Sequence, residues 1–263
     1  MNEIVRAIIL GIIQGITEFL PVSSSGHLEI ARYFMEDGTV TEMGITMSVV
    51  LHFATALATI VVFRKDVLGI IAESLKGNKE SISFVMKIII SMIPAALVGF
   101  FFEDFLDTLF SKNLLLVGAM LLLTAFLLWY SERSHSSNRP VTYLKSFIIG
   151  IAQAIAILPG VSRSGATIST ALLLNLDRAE AARFSFLMVV PLIFGKIAKD
   201  VVGGTVAAEP ISSTALIVGF VFAFVSGFIA CKWMIQIVKN ARLAYFAIYC
   251  LIVGVIAILS QLI

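Results

Sequence analysis

Charge is scarce in this chain of 263 residues: Asp, Glu, Lys and Arg make up 14% of it, against roughly 25% in a soluble domain. The charges nearly cancel, 19 Lys and Arg against 17 Asp and Glu for a net of +2, and nowhere form a polybasic block. Nucleic acid is therefore not an expected partner. Cysteine is almost missing too. Cys231 and Cys250 both lie in apolar stretches without metal-ligand spacing, so they read as small buried hydrophobes rather than a disulfide or a metal site. The low hydrophobicity that marks disordered chains is absent. What is present is apolar surface: 59% of residues are hydrophobic and the mean hydropathy is +1.01. The composition is that of an all-α integral membrane protein.

Runs of about 20 apolar residues, enough to cross roughly 30 Å of hydrocarbon, fall near 43–63, 84–102, 114–130, 184–203, 214–231 and 243–262. Two further stretches, 4–30 and 146–176, are too long for one span, and each is interrupted by Gly, Pro and a serine cluster. Each reads as two short helices around a break, a re-entrant helix-loop-helix, because irregular backbone at membrane depth must be satisfied by protein or by a water-filled cavity. No cleavable signal peptide is expected, since Glu3, Arg6, Gln14, Thr17 and Glu18 interrupt the opening segment.

Loop charges orient the spans. Segment 64–87 carries Arg64, Lys65, Lys76, Lys79 and Lys87 against three acids, 131–146 carries Arg133, Arg139 and Lys145 against Glu132, and 232–242 carries Lys232, Lys239 and Arg242. These belong in the cytoplasm by the positive-inside rule. Segment 29–42, with Glu29, Glu36, Asp37 and Glu42 against Arg32, and segment 103–113, with Glu103, Asp104 and Asp107 against Lys112, belong outside. Threading six spans through these loops requires the first broken segment to enter and leave from the outer face and the second from the cytoplasmic face. Both termini then lie outside, and Thr41 and Asn78 lie on opposite sides.

At an offset of 139 positions, Gly11–Gly26 pairs with Gly150–Gly165. Eight of sixteen positions are identical: Gly11/Gly150, Ile12/Ile151, Gln14/Gln153, Ile16/Ile155, Val22/Val161, Ser23/Ser162, Ser25/Ser164 and Gly26/Gly165. Both copies lie in the broken segments that the charge rule puts on opposite faces. The expected architecture is thus a single membrane domain, 1–263, with six transmembrane helices and two re-entrant hairpins, in two inverted repeats covering 1–130 and 140–263. Repeats of this kind meet near the bilayer midplane and aim broken helices at a polar ligand.

Between Arg6 and Glu29 the only formal charge is Glu18; between Lys145 and Asp177 it is Arg163. A charge inside a membrane helix costs about 2.5 to 3.5 kcal/mol on insertion scales and tends to mark a site. A bare ion pair holding two halves together is the plain alternative, but each charge adjoins a serine cluster that such a pair would not need. The first cluster, Pro21-Val22-Ser23-Ser24-Ser25-Gly26-His27, puts hydroxyls and backbone amides at a helix start, an arrangement that favours anions. The second, Pro159-Gly160-Val161-Ser162-Arg163-Ser164-Gly165-Ala166-Thr167, repeats it and adds a guanidinium suited to phosphate oxygens. His27, three positions after Ser24, is a candidate base for a serine nucleophile. His52, in an apolar span, reads as packing or as support behind the site, His135 as solvated, and the run Asp177, Arg178, Glu180, Arg183 as a cytoplasmic turn.

Gln14-x-x-x-Glu18 leading into the serine turn and His27, together with Pro159 through Thr167, resembles the signatures of the undecaprenyl-diphosphate phosphatases of the bacitracin-resistance type, over essentially the whole chain. The resemblance implies an enzyme of the bacterial cytoplasmic membrane, its site open to the outer side, that removes the terminal phosphate of undecaprenyl diphosphate and so recycles the carrier lipid of peptidoglycan synthesis. It implies bacitracin resistance on overproduction and a divalent cation, Mg2+ or Ca2+, as cofactor; a homodimer is compatible with it. By the same resemblance, Ser24 would be the nucleophile, His27 the base, and Arg163 the group that binds and stabilises the phosphates. Glu18, assisted by Gln14, would hold the cation or orient the nucleophile. Ser23, Ser25, Gly26, Ser162, Ser164 and Thr167 would line the phosphates. Gln14 departs from those members that carry Glu there, leaving Glu18 as the sole carboxylate in the site. The alternative from a different class is a polyprenyl-phosphate transporter or flippase, for which inverted repeats are equally natural.

Overall fold

A computed structural model describes residues 2–35, 45–110, 113–134, 140–202, 211–240 and 243–261. Among the described residues every regular element is an α-helix: α1 (Glu3–Phe19), α2 (Ser24–Met35), α3 (Ile45–Val62), α4 (Arg64–Leu75), α5 (Lys79–Phe101), α6 (Glu103–Phe110), α7 (Leu114–Glu132), α8 (Tyr143–Ile155), α9 (Arg163–Leu173), α10 (Arg178–Val202), α11 (Ser213–Lys239) and α12 (Leu243–Leu259). Their starts follow side-chain chemistry. Asn2, Asn78, Asn113, Thr142 and Ser162 each accept a hydrogen bond from an orphan backbone N–H of the first turn, and Asp177 does the same for Ala179 and Glu180 at α10.

Among the described residues four helices are long and apolar enough to cross a membrane: α5, α7, α10 and α11. The sequence places spans at all four, but the helices run further, α5 starting at Lys79, α10 at Arg178 and α11 ending at Lys239. Charged ends extend past the hydrocarbon because a helix satisfies its own backbone equally well in water. The expected span at 43–63 matches α3, which passes only jointly with α4, from which it bends by 75°. That at 243–262 contains α12, whose 17 residues reach about 25 Å, shorter than the four helices that qualify as spans. Segment 64–87 is not a loop but the helix α4 and the first turns of α5, and α6 occupies part of 103–113. The two interrupted stretches are helix pairs, α1–α2 and α8–α9, broken at 20–23 and 156–162. Glu36, Asp37, Thr41, Glu42, Lys112, His135, Arg139 and Arg242 lie outside the described residues.

Helix packing relies on small residues. α1 packs along α11 and α8 along α5, while α7 pairs with α12. A Cβ at Gly11 of α1 would stand 2.7 Å from the Gly219 carbonyl oxygen of α11, and one at Gly150 of α8 would collide with the Ser91 carbonyl of α5. With no hydrophobic drive between helices in lipid, close backbone approach of this sort is what holds them. The interior is filled by Phe19, Phe184, Phe186, Leu121, Leu128, Ile149 and Leu172, all at most 1% exposed. Outward, α5 presents Ile82, Met86, Ile89, Ile93, Leu97 and Phe100 at steps of three and four. Only 11% of its apolar window is buried in the protein, so lipid must cover the remainder.

Candidate active site

The first break grows out of the end of α1. Leu20 turns extended and its N–H still reaches Ile16, Pro21 has no N–H to continue the helix, and Ser23 adopts a left-handed φ of 71°. That conformation is uncommon outside glycine and costs of order 1 to 3 kcal/mol. It turns the Ser23 hydroxyl to accept from the Gly26 N–H at 3.2 Å, capping α2. At the second break the left-handed residue is Gly160, φ 92°, and the cap is Ser162, whose hydroxyl accepts from the Gly165 N–H at 3.0 Å. Thr124 of α7 fixes this turn, its hydroxyl accepting from the Ser162 N–H at 3.0 Å and facing the Gly160 carbonyl at 3.4 Å.

The two breaks meet. The Ser164 hydroxyl donates to the Leu20 carbonyl at 3.2 Å. A Cβ at Gly26 would be 3.1 Å from the Gly160 Cα, and one at Gly165 would be 3.4 Å from the Pro21 Cβ. Any larger side chain at Gly26 would push the turns apart.

Between the turns lies the Glu18 carboxylate. Its Oε1 accepts from Arg163 Nη2 at 2.6 Å, and its Oε2 accepts from the Ser24 hydroxyl at 2.7 Å and from Gln14 Nε2 at 3.0 Å. With side chains 8% and 15% exposed, Glu18 and Arg163 are nearly shut off from bulk water, which makes each a strong demand on the other. A bare ion pair would leave Oε2 idle. Here that oxygen holds a serine proton, the geometry in which a carboxylate acts as base to a hydroxyl nucleophile. Arg163 also donates from Nη1 to the Ser185 carbonyl at 3.4 Å; a guanidinium has five N–H donors, so both contacts leave capacity for phosphate oxygens.

The turns share a scaffold and differ in chemistry: at the 139-position offset Ser24 corresponds to Arg163, and Glu18 to Ile157. Ser23 and Ser162 spend their hydroxyls on the caps and are 2% and 1% exposed. Ser25 lies 3.3 Å from Ser23. Thr167 donates to the Arg163 carbonyl at 2.8 Å and lies 2.6 Å from the Ser185 hydroxyl of α10. His27 does not bond Ser24: Nδ1 meets the Ser23 carbonyl and Nε2 meets the Tyr249 hydroxyl of α12, both at 2.8 Å. His52 bonds the Ser48 carbonyl of its own helix at 2.8 Å. Thr124, Ser185 and Tyr249 are the residues that sequence reasoning passed over. A hydroxyl within an otherwise apolar helix is the only signal they carry, and many hydroxyls share it.

For a cation the donor set is lean. Among the described residues no group of three or more His, Cys, Asp or Glu comes together. The Gln14 side-chain oxygen, however, is buried without a partner one turn from the Glu18 carboxylate. One carboxylate and one amide oxygen fit a Mg2+-like ion that takes its other ligands from substrate phosphates and water, and fit poorly an ion needing a full protein cage.

A family model described as "Bacitracin resistance protein BacA" matches residues 7–256. The chain belongs to the BacA family. Among its BacA-type relatives, an undecaprenyl-diphosphatase of Christiangramia forsetii is 55% identical over 258 residues, covering 98% of each chain. One from Bacteroides fragilis is 49% identical, again over 98% of both. One from Korarchaeum cryptofilum is 40% identical over 99% of this chain and all of the relative. Both breaks, and every residue bonded to the Glu18 carboxylate, fall inside the span matched to BacA.

Proposed function

We propose that this chain is an undecaprenyl-diphosphatase, a multi-pass membrane hydrolase that cleaves the terminal phosphate from undecaprenyl diphosphate and returns the monophosphate carrier to peptidoglycan synthesis. The observation that carries the chemistry is the shared Glu18 carboxylate, which receives the Ser24 proton on one oxygen and the Arg163 guanidinium on the other. Ser24 attacks the terminal phosphorus, and Glu18 takes its proton. The bond from that phosphorus to the bridging oxygen breaks, the electron pair leaving with the lipid monophosphate. Arg163 trades part of its hold on Glu18 for the phosphate oxygens as their charge shifts; positioning and charge neutralisation are most of what phosphoryl transfer requires. Water then hydrolyses the phosphoserine, and Glu18 returns the proton to Ser24. Glu18 and Gln14 would hold a divalent cation, which when bound neutralises phosphate charge. Ser25 and the amides at the starts of α2 and α9 face the phosphates, while Ser23, Ser162, Ser164 and Thr167 hold the turns in shape.

The architecture that suits this chemistry has six transmembrane helices and two re-entrant hairpins, α1–α2 and α8–α9, in inverted repeats over 1–130 and 140–263. The exchanged packing supports it: α1 lies on α11 of the second half and α8 on α5 of the first, each through a glycine at the repeat offset. The protein sits in the bacterial cytoplasmic membrane with the site opening outward, where the spent diphosphate is released.

Phosphate release from a polyprenyl diphosphate by the purified chain in detergent with Mg2+ tests the reading. Arg163→Ala and Glu18→Ala each lower kcat by about 100-fold or more, and Ser24→Ala abolishes a phosphoenzyme trapped by acid quench. Release that is unchanged in Arg163→Ala overturns the assignment. Turnover retained by Ser24→Ala removes the covalent step.

A further inference from the structure

The short helix α4 carries an apolar face that the protein leaves open. Val67 and Ile70 turn inward and pack against the core, whereas Leu68, Ile71 and Leu75 are 65%, 51% and 84% exposed. Spaced three and four apart, these three form one stripe on the outward side of the helix. Arg64 and Lys65 at the start of α4 and Lys76 at its end are exposed beside the stripe. The neighbouring acids are already engaged: Asp66 binds Arg183 at 2.9 Å, and Glu73 accepts from the Ser81 hydroxyl. Arg64, Lys65 and Lys76 form no ion pair among the described residues, so the border of the stripe is basic.

Contacts fix the direction of α4. It bends 75° from α3. Arg183 joins Asp66 to the Phe84 ring, whose centroid is 4.9 Å from the guanidinium carbon, and Glu73 meets Ser81. From Asp66 to Glu73 the helix advances about 10 Å, but from Phe84 back to Ser81 α5 advances only about 5 Å. α4 therefore crosses the start of α5 instead of running beside it. Gly77, with φ 78°, and the Asn78 N–H on the Glu73 carbonyl hold the turn between the two helices. Because α5 is a span whose charged end begins at Lys79, a helix laid across 81–84 lies near the plane of the lipid–water boundary. The lipid-facing row of α5 opens alongside it with Ile82 and Met86, both exposed.

We propose that α4 is an interfacial docking surface for anionic phospholipid: Leu68, Ile71 and Leu75 sit among the upper acyl chains, and Arg64, Lys65 and Lys76 bind headgroup phosphates. An apolar face flanked by basic side chains is the pattern of helices that lie in the membrane interface, and Lys and Arg at that depth draw negatively charged lipid. A second copy of the chain suits the surface less well. In a symmetric pairing of two α4 helices the same basic border meets itself, whereas phosphate meets it with opposite charge. The proposal stands apart from the phosphatase reading, since none of these residues touches the Glu18 site.

The full-length chain in vesicles of equal parts phosphatidylcholine and phosphatidylglycerol tests it, with a nitroxide on Leu68→Cys or Leu75→Cys; Cys231 and Cys250 are buried. Both labels meet oxygen more often than a water-soluble nickel chelate, and their depths agree within about 5 Å although about 10 Å of helix separates them. A bimane on Leu75→Cys is quenched at least about twofold more by brominated phosphatidylglycerol than by brominated phosphatidylcholine in the same mixture. Adding Arg64→Gln, Lys65→Gln and Lys76→Gln together makes the two lipids quench equally and leaves the label depths unchanged. The proposal is overturned by labels that favour the nickel chelate, by depths that differ by the full helix length, by equal quenching while the three basic residues are present, or by a preference that survives their removal. Spin–spin coupling between copies labelled at Leu75→Cys overturns it as well, because it seats a second copy on the stripe.

Discussion

Glu18 and Arg163 test what a buried pair is for. Removing one partner strands the other charge among apolar side chains, at a cost of about 3 to 5 kcal/mol, whereas replacing both by apolar groups of similar size is often neutral. Glu18→Leu and Arg163→Met are therefore each expected to lower the unfolding temperature in detergent, and Glu18→Leu/Arg163→Met to recover most of it. If the pair served only to join the two broken segments, the recovered double variant would also recover phosphate release. With Ser24 and Gln14 bonded to the same carboxylate, the expected outcome is a stable protein with no turnover, read by thermal scanning and phosphate assay on one preparation. Arg163→Lys separates charge from shape. It keeps the positive charge but cannot fork across Glu18 and phosphate together, so it should lose about 100-fold in kcat while staying folded.

At the scale of helices, glycine decides how close two backbones come. Gly150→Ala places a methyl group on the Ser91 backbone and must part α8 from α5, costing about 1 to 3 kcal/mol. Gly99→Ala, with nothing within 4 Å of the added carbon, meets only the helix-propensity term and gains up to about 1 kcal/mol. Opposite shifts in thermal stability are expected, and a drop at Gly99 equal to that at Gly150 would refute the packing account. The breaks in α1–α2 and α8–α9 were legible because Pro21, Pro159 and the serines carry their signal locally, and Glu18 with Arg163 because a charge in an apolar run stands out. The bend between α3 and α4 was not, since Phe63 between them is as apolar as its neighbours and the turn reflects where the charges of Arg64, Lys65 and Asp66 can reach water. Nor was the partner of His27. Ser24 is three positions away and Tyr249 is 222, and spacing along a chain says nothing about which of two hydroxyls a ring nitrogen will meet.

Over the whole molecule, sidedness determines which face of the membrane supplies the substrate. Segments 64–87, 131–146 and 232–242 hold most of the loop Lys and Arg, and contacts tie these regions together independently of their charge count. Arg183 Nε of α10 bonds Asp66 of α4 at 2.9 Å, and Glu132 at the end of α7 accepts from the Leu243 N–H at the start of α12 at 2.9 Å. At the opposite end, Glu3 accepts from the Ser212 N–H that precedes α11 at 3.0 Å, and Arg6 donates to the Met35 carbonyl that closes α2 at 3.1 Å. The first group would face the cytoplasm and the second the exterior. Cysteines at Lys76 and Gln261, both exposed, probe the two groups without removing the helix cap that Asn78 provides, and the native thiols are buried. A membrane-impermeant maleimide on intact cells should label Gln261→Cys and spare Lys76→Cys until the cells are opened. The reverse pattern would turn the site toward the cytoplasm and require the diphosphate to be drawn from that leaflet. Labelling of both in intact cells would contradict the odd number of crossings that the proposed architecture puts between them, and with it the proposed entry of one hairpin from each face.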